Sequence, residues 1–167
     1  MKYSVFQFSL FLFAATFGIS ACNTDDSLGD TPVDLTQEES DLLNAINNLR
    51  ETGANCGSVS MSKVDALSWN ETLASTALQH ANDMNDNDFF SHAGSDGSQV
   101  IDRATEQGYS VSWIGENIAT GYTTVPDVMQ GWQESNSHCE LMMNENFEEV
   151  GFARVENLWV MVLGTSL

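Results

Sequence analysis

The sequence predicts an α+β domain in which helices pack against a small antiparallel sheet. Apolar residues recur at helical spacing over several segments before residue 135, whereas two later runs, 148–155 and 158–165, are rich in β-branched and aromatic residues. These two runs flank a short polar turn, which is typical of a β-hairpin. Helices followed by such a hairpin bury their apolar faces against its sheet, which is the layered arrangement of an α+β domain.

The N-terminal residues have the pattern of an export signal. Lys2 precedes an uncharged run at residues 5–17, which is shorter than the about 20 apolar residues that span a bilayer. Small residues then lead to Cys22. We interpret residues 1–21 as a lipoprotein signal peptide and Cys22 as the lipid-carrying residue, since two acyl chains anchor a protein stably to a membrane. The alternative is ordinary cleavage near Ala21, which would leave Cys22 as a free thiol.

The segment after the signal peptide is predicted to be a tether. Residues 22–35 are acidic and polar and include Gly29 and Pro32, a composition that favours flexibility. Residues 36–167 are long enough for one domain with its own hydrophobic core. We therefore expect a monomeric, lipid-anchored protein of the cell envelope, held outside the cytoplasm at the outer membrane or cell surface rather than at the inner membrane.

The charge of the chain argues against two classes of partner. It has 24 Asp and Glu against 5 Lys and Arg, a formal net charge of −19. Nucleic-acid binding depends on Lys and Arg that neutralise phosphates, so we expect no nucleic-acid partner. The same balance disfavours docking to anionic lipid head groups. An acidic surface also keeps the domain soluble.

Cysteine usage predicts one disulfide. With Cys22 assigned to lipid, Cys56 and Cys139 remain, and two cysteines in an exported chain most often pair. Closing a loop of this length contributes about 4–5 kcal/mol in the chain-entropy model. The alternative is a pair of buried thiols.

Two amphipathic helices open the domain. Thr36 and Glu39 form a capping box for the first helix, which ends near Gly53. Asn70 caps the second helix, which ends in the Asn- and Asp-rich turn at residues 85–88.

Two further helices precede the hairpin. A short third helix spans about residues 99–106, and Gly108 ends it. Thr124 and Pro126 open a fourth helix that runs to about Glu134.

The chain has three histidines, and each is a candidate for chemistry. His80 lies beside the apolar stripe of the second helix, so we interpret it as a core or boundary residue with a hydrogen-bonded ring. His92 leads into a Gly-rich loop and His138 follows the fourth helix, so both are predicted at loop positions, where functional side chains are commonly presented. Together with Glu116 they could hold a divalent cation such as Zn²⁺ beside an open water position, or form a hydrogen-bonded cluster that stiffens loops.

A series of short motifs occurs in a characteristic order between about residues 42 and 164. They are Asn47-x-x-Arg50, Leu67-x-Trp69-Asn70, His80-Ala81-x-Asp83-Met84, Phe90-Ser91-His92, Asp102-Arg103 before Gly108-Tyr109, Gly115-Glu116-Asn117-Ile118-Ala119, Trp132-x-x-Ser135-x-x-His138, Glu149-Val150-Gly151 and the run around Trp159. In this order they resemble the CAP superfamily of cysteine-rich secretory, antigen five and pathogenesis-related proteins, and in particular its bacterial branch. The SCP domain of this superfamily would then span residues 36–167.

The resemblance implies a three-layer α-β-α sandwich with a cleft lined by two histidines and acidic residues. His92 and His138 match the paired histidines of the family, which hold a divalent cation in some relatives, and Glu116 matches the glutamate of the Gly-Glu-Asn motif. We therefore expect any metal, with Zn²⁺ as the candidate, at His92, His138 and Glu116. No cofactor is required.

The chain departs from the family pattern at one cleft position. Animal relatives have a glutamate three residues after the tryptophan, whereas Ser135 stands there in this chain and Glu134 comes one residue earlier. Only three of the four cleft positions therefore match. Pairing of Cys56 with Cys139 would hold the backbone beside His138.

The predicted function is that of a binding module. The cleft would accept a lipid-like or other small apolar ligand, a cation or an envelope protein, since the family is associated with sterol and lipid binding and with secreted interaction domains. The first alternative is a hydrolase, in which Glu116 acts as general base on a metal-bound water or an imidazole activates Ser135 or Ser137. The incomplete ligand set argues against it, as does a sequence without HExxH or GxSxG motifs. The second alternative is a structural or adhesive lipoprotein.

Overall fold

The computed structural model describes residues 34–167, which form five helices and six strands. The predicted signal peptide, the lipidation at Cys22 and the tether up to residue 33 lie outside the described residues. The helices are α1 Gln37–Thr52, α2 Glu71–Asp86, α3 Val100–Glu106, α4 Val125–Glu134 and α5 Asn136–Met142. The strands are β1 Ala54–Cys56, β2 Val59–Met61, β3 Ser68–Trp69, β4 Val111–Thr120, β5 Glu149–Val155 and β6 Leu158–Ser166. Within this range, every helix is too short or too polar to cross a membrane.

Four of the strands form the central sheet, in the order β3-β5-β6-β4. The predicted hairpin is confirmed as β5 and β6, and β4 pairs antiparallel with the other side of β6. The two-residue strand β3 is parallel to β5 at the opposite edge, and β1 and β2 form a separate hairpin after α1. The sheet is therefore antiparallel over its three long strands, and β4 lies at an edge.

Strand β6 explains why the domain has three layers. Alternate side chains of a strand point to opposite faces of the sheet. In β6, Trp159, Met161 and Leu163 pack with residues of α1, α4 and α5, whereas Val160 and Val162 pack with residues of α2 and α3. All five side chains are fully buried. A strand buried on both faces needs a helical layer on each, so the predicted α+β class and α-β-α sandwich are confirmed.

The predicted starts of the first two helices are confirmed by their hydrogen bonds. Thr36 Oγ1 accepts from Glu39 N at 3.3 Å, and Glu39 Oε2 accepts from Thr36 N at 2.7 Å. Asn70 Oδ1 accepts from the backbone N–H groups of Thr72 and Leu73 at 2.9 and 3.1 Å. These bonds satisfy donors that the first turn of a helix otherwise leaves unpaired.

Strand β4 carries a predicted site residue but is not itself predicted by the sequence patterns. It is ten residues long, and its centre is Gly115-Glu116-Asn117. Gly and Asn are poor strand formers and Glu is a weak one, so the local sequence gives no strand signal. Pairing with β6 along almost the whole length of both strands stabilises β4 instead.

The prediction that His138 lies in a loop is wrong. His138 lies in α5, which begins directly after Ser135 at the end of α4. The helix is seven residues long, and its N-terminus has no side-chain cap. A helix this short is held by tertiary contacts rather than by local signals, which is why the sequence does not reveal it.

The predicted disulfide between Cys56 and Cys139 is present, with Cα atoms 5.3 Å apart. Both cysteines are fully buried. The bond joins β1 to α5 at the residue that follows His138, so it holds the backbone on which that imidazole is carried.

Candidate functional site

The centre of the candidate site is the carboxylate of Glu116 on the edge strand β4. Its side chain is only 2% exposed. Oε1 accepts a hydrogen bond from His92 Nδ1 at 2.8 Å, and Oε2 accepts one from Arg103 Nη2 at 2.7 Å. His80 Nε2 lies 3.9 Å from Oε1. A buried carboxylate requires such partners, since an unpaired charge away from water is costly.

The ring of His92 is held by Glu116 and yet remains open to solvent. Its side chain is 55% exposed. An ionised carboxylate only accepts hydrogen bonds, so the bond assigns a proton to Nδ1 of His92 and leaves Nε2 of the neutral ring with its lone pair. Carboxylates that bind the far nitrogen of a histidine in this way orient many metal-ligating imidazoles.

Arg103 on α3 supports the same arrangement. The residue is 2% exposed. Its Nη1 donates to Ser98 O at 2.8 Å, and its Nη2 donates to His92 O at 3.2 Å as well as to Glu116. Arg103 thus binds both ends of the loop 92–98. The sequence does not reveal this role, because an arginine on a helix ordinarily faces solvent and the Asp102-Arg103 motif is its only signal.

His80 is the buried, hydrogen-bonded residue that its helix position predicts. It is fully buried, and its Nε2 donates to Ser91 O at 2.8 Å. Its Nδ1 has no hydrogen-bond partner within the described residues. Burial lowers the pKa of His80 against the opposing effect of the Glu116 carboxylate. The His80 ring therefore stays neutral and holds the backbone of Ser91, the residue that precedes His92.

His138 reaches the same edge of the sheet from α5. Asn117 Nδ2 donates to His138 O at 3.2 Å. Since Asn117 follows Glu116 on β4, the two side chains leave the strand on opposite faces. Burial lowers the pKa of His138, and the neighbouring His92 lowers it further. His92 thus contacts Glu116 directly and lies near enough to His138 to lower the pKa of that ring. Among the described residues, no hydrogen bond or ion pair joins the His138 side chain to Glu116.

Comparison with known proteins identifies the family. Residues 43–161 match the CAP model, which describes the cysteine-rich secretory protein family. The chain belongs to the CAP family. The membrane protein YlbC of Bacillus subtilis (strain 168) is 32% identical over 85 residues, which are 51% of this chain and 25% of YlbC. The chain thus spans about a quarter of the length of that curated relative.

Two solved structures share the CAP fold. An extracellular protein containing an SCP domain from Bacillus anthracis has a TM-score of 0.69 at 23% identity, over 77% of this chain and 40% of that protein. An outer surface protein from Borrelia burgdorferi has a TM-score of 0.66 at 21% identity, over 77% of this chain and 92% of that protein. At these identities the likeness shows the fold.

The donor set of this CAP domain is sparse for a metal centre. Among residues 34–167, no three His, Cys, Asp or Glu side chains converge to hold a metal ion. Both oxygens of Glu116 already accept from His92 and Arg103. Glu134 accepts from Gln130 Nε2 at 2.7 Å on α4, so it is engaged elsewhere. A cation at this edge would meet the imidazoles of His92 and His138, with Glu116 holding His92. The metal site remains a prediction.

The two candidate nucleophiles, Ser135 and Ser137, do not contact an imidazole of the described residues. Ser135 Oγ and Ser137 Oγ lie 3.4 Å apart, and within the described part of the chain neither hydroxyl is hydrogen-bonded to a histidine ring. A serine nucleophile needs a base within hydrogen-bond reach.

A cavity of about 550 Å³ lies beside β2 and the end of α5. It is lined by residues 59–64, Glu140 and residues 143–146. His92, Glu116 and His138 are not among these residues, so this cavity does not supply the apolar cleft expected at the histidines.

Proposed function

We propose that this chain is a CAP-domain lipoprotein of the cell envelope, anchored outside the cytoplasm by lipid on Cys22. Its domain acts as a binding module through the edge formed by His92, Glu116 and His138. The export pattern before Cys22 supports the anchor. The descriptions of its relatives as a membrane protein, an extracellular protein and an outer surface protein support the envelope location.

The observation that carries the binding proposal is the state of His92. Its ring is held at Nδ1 by a buried carboxylate, although 55% of the side chain is exposed to solvent. Ordering an exposed side chain costs conformational entropy, and a side chain that is ordered in advance lowers the cost of binding a ligand. This is the arrangement expected of a preorganised contact residue.

The ligand that paired imidazoles favour is a transition-metal cation such as Zn²⁺. His92 and His138 would supply two nitrogen ligands, and water or a side chain of a partner protein would complete the coordination. The geometry does not favour the hydrolase alternative. A general base must reach the water that it deprotonates, whereas the Glu116 side chain is 2% exposed and both of its oxygens already accept from other groups.

Calorimetric titration of the purified full chain with Zn²⁺ tests the binding proposal. His92→Ala and His138→Ala are each expected to weaken Zn²⁺ binding at least about tenfold, since each removes a ligand. Glu116→Gln is expected to weaken it about 10- to 100-fold, as loss of a residue that orients a ligand does. Glu134→Gln is the matched control, because Glu134 is bound to Gln130 on α4.

Equal Zn²⁺ affinity in all four variants and the wild type would contradict the proposed site. Turnover of a peptide or cell-wall substrate that both histidine variants abolish would favour the hydrolase instead. For the anchor, Cys22→Ser is expected to move the protein from the membrane fraction to the soluble fraction. Retention of that variant in the membrane would contradict lipid anchoring through Cys22.

A further inference from the structure

Arg103 is a buried cation that contacts the candidate site in two ways. Its Nη2 lies 2.7 Å from Glu116 Oε2, the carboxylate that holds the His92 ring. The same nitrogen lies 3.2 Å from His92 O, and Nη1 lies 2.8 Å from Ser98 O. Arg103 therefore binds both the group that orients the His92 side chain and the loop that carries its backbone.

The charge of Glu116 is compensated within the chain. Its carboxylate is 2% exposed, and the Arg103 side chain that binds it is 3% exposed. A buried carboxylate paired with a guanidinium needs no second cation, and a metal ion placed on Glu116 would leave a positive charge without a partner. The metal role that the family resemblance assigns to Glu116 therefore does not fit these contacts.

We propose that Arg103 is the positioning residue of the paired-histidine site. It supplies the positive charge that Glu116 requires and holds the loop 92–98 in the conformation that places the His92 ring. A ligand then meets two imidazoles and no free carboxylate, which favours transition-metal cations over Ca²⁺ and Mg²⁺, whose preferred ligands are oxygens. This preference rests on the proposed binding function, whereas the positioning role does not.

The charge compensation is tested by thermal unfolding of the full chain in detergent. Glu116→Gln is expected to lower the melting temperature of the wild type. Arg103→Met is expected to lower it more, by about 10 °C, because it leaves a buried carboxylate unpaired. Glu116→Gln should raise the melting temperature of the Arg103→Met variant, since it removes that charge. If Glu116→Gln lowers the melting temperature of the Arg103→Met variant, as it does that of the wild type, the charge role is overturned.

The positioning role is tested by amide hydrogen exchange in the loop 92–98. Exchange is expected to be faster in Arg103→Met/Glu116→Gln than in the wild type. Arg103→Lys should give an intermediate rate, since lysine keeps the charge but cannot bind three oxygens in the same fork geometry. Arg154→Met is the matched control, because Arg154 is paired with Glu38 outside the site. Unchanged exchange in both Arg103 backgrounds would overturn the positioning role.

Titration of the same variants with Zn²⁺, Ca²⁺ and Mg²⁺ tests the consequence for ligand choice. Weak binding of Ca²⁺ and Mg²⁺ and a loss of Zn²⁺ affinity of about tenfold or more in Arg103→Met/Glu116→Gln are expected. Wild type that binds Ca²⁺ as tightly as Zn²⁺ would contradict the preference. If the wild type binds no Zn²⁺, the proposed function fails, while the unfolding and exchange measurements still decide the role of Arg103.

Discussion

Single buried cations hold together segments that are distant in the sequence. Arg50 on α1 is fully buried. Its guanidinium donates at 2.7–3.0 Å to four backbone carbonyls, those of Asp65, Met142, Asn144 and Phe147. Two of these carbonyls lie at and just beyond the end of α5, so Arg50 fixes the helix that carries the second histidine of the site.

Replacing Arg50 is therefore expected to destabilise the domain strongly. Arg50→Met leaves these carbonyls without their donor, and we expect the free energy of unfolding to fall by about 3–5 kcal/mol. Arg50→Lys should lose less, because lysine retains the charge and some of the donors. Urea denaturation at pH 7 measures both changes.

Lys63→Met is the control for the Arg50 variants. Lys63 is exposed, so its replacement should change the free energy of unfolding by no more than about 0.5 kcal/mol. An Arg50→Met variant that loses as little as this control would show that the four carbonyls find other donors.

The sequence reveals some site residues and hides others for a physical reason. His80 is predictable as buried because it lies next to Ala81 and within one turn of Ala77 and Met84, all of which are buried on α2. Arg103 is not predictable as buried, since helical periodicity assigns an arginine to the polar face. Its partners are a strand carboxylate and loop carbonyls, which come together only in the folded domain.

At the scale of elements, the sequence predicts a helix or strand when its own residues stabilise it, and does not when contacts with other elements do so. The first four helices and the C-terminal hairpin have caps, turns or apolar periods that can be read locally. Strand β4 does not, because Gly115, Glu116 and Asn117 interrupt it. A Cβ atom at Gly115 would lie 2.8 Å from Leu141 Cδ1 and 3.1 Å from Phe147 Cζ, so these side chains would have to move to admit it. The residues that weaken the strand signal of β4 are thus needed for other reasons: Glu116 for the site, and Gly115 for close packing against Leu141.

Helix α5 depends on the disulfide as well as on Arg50. Its seven residues are too few to form a stable helix alone, and Cys139 joins it to β1 across a sequence separation of 83. Cys56→Ser/Cys139→Ser is expected to lower the free energy of unfolding by about 3–5 kcal/mol, since the cross-link constrains a long loop in the unfolded chain. Urea denaturation under oxidising conditions measures this loss.

A reducing agent provides the control for the disulfide prediction. Wild type treated with a phosphine reductant under unfolding conditions should fall to the stability of the double variant, while the double variant should not respond. Wild type that reacts with a thiol-specific label at both cysteines after denaturation without reductant would contradict the disulfide and support paired thiols.

At the scale of the whole molecule, little positive charge is left free on the surface of the described residues, where Lys63 is exposed. In the described residues, Arg50 and Arg103 are buried, and Arg154 pairs with Glu38 at 2.9 Å and lies over the Trp159 ring. The surface is left strongly acidic, consistent with the formal net charge of −19 for the chain. The three-layer fold could be expected from motif order, but an apolar cleft at the histidines could not be inferred from motifs that specify only its polar residues.

Stability of the whole domain is expected to fall as the pH drops below about 6.5. Burial lowers the pKa of His80 and of His138 in the folded state. The unfolded chain, whose histidines titrate near their ordinary value of about 6.5, then binds more protons than the folded domain below that pH. The stabilisation by neutral histidines is therefore complete at about pH 8 and is lost progressively toward pH 5.5. Surface carboxylates stay largely ionised over this range, and about 0.5 M NaCl screens their mutual repulsion.

Urea denaturation at a series of pH values in this salt measures the expected fall. His138→Gln removes one of the two titrating groups with a lowered pKa, so its stability should decline less steeply than that of the wild type over the same range. Because His80 remains in that variant, some pH dependence should persist. Stability of the wild type that is constant or rises between pH 8 and 5.5 would show that the folded domain accepts protons at these rings as readily as the unfolded chain does.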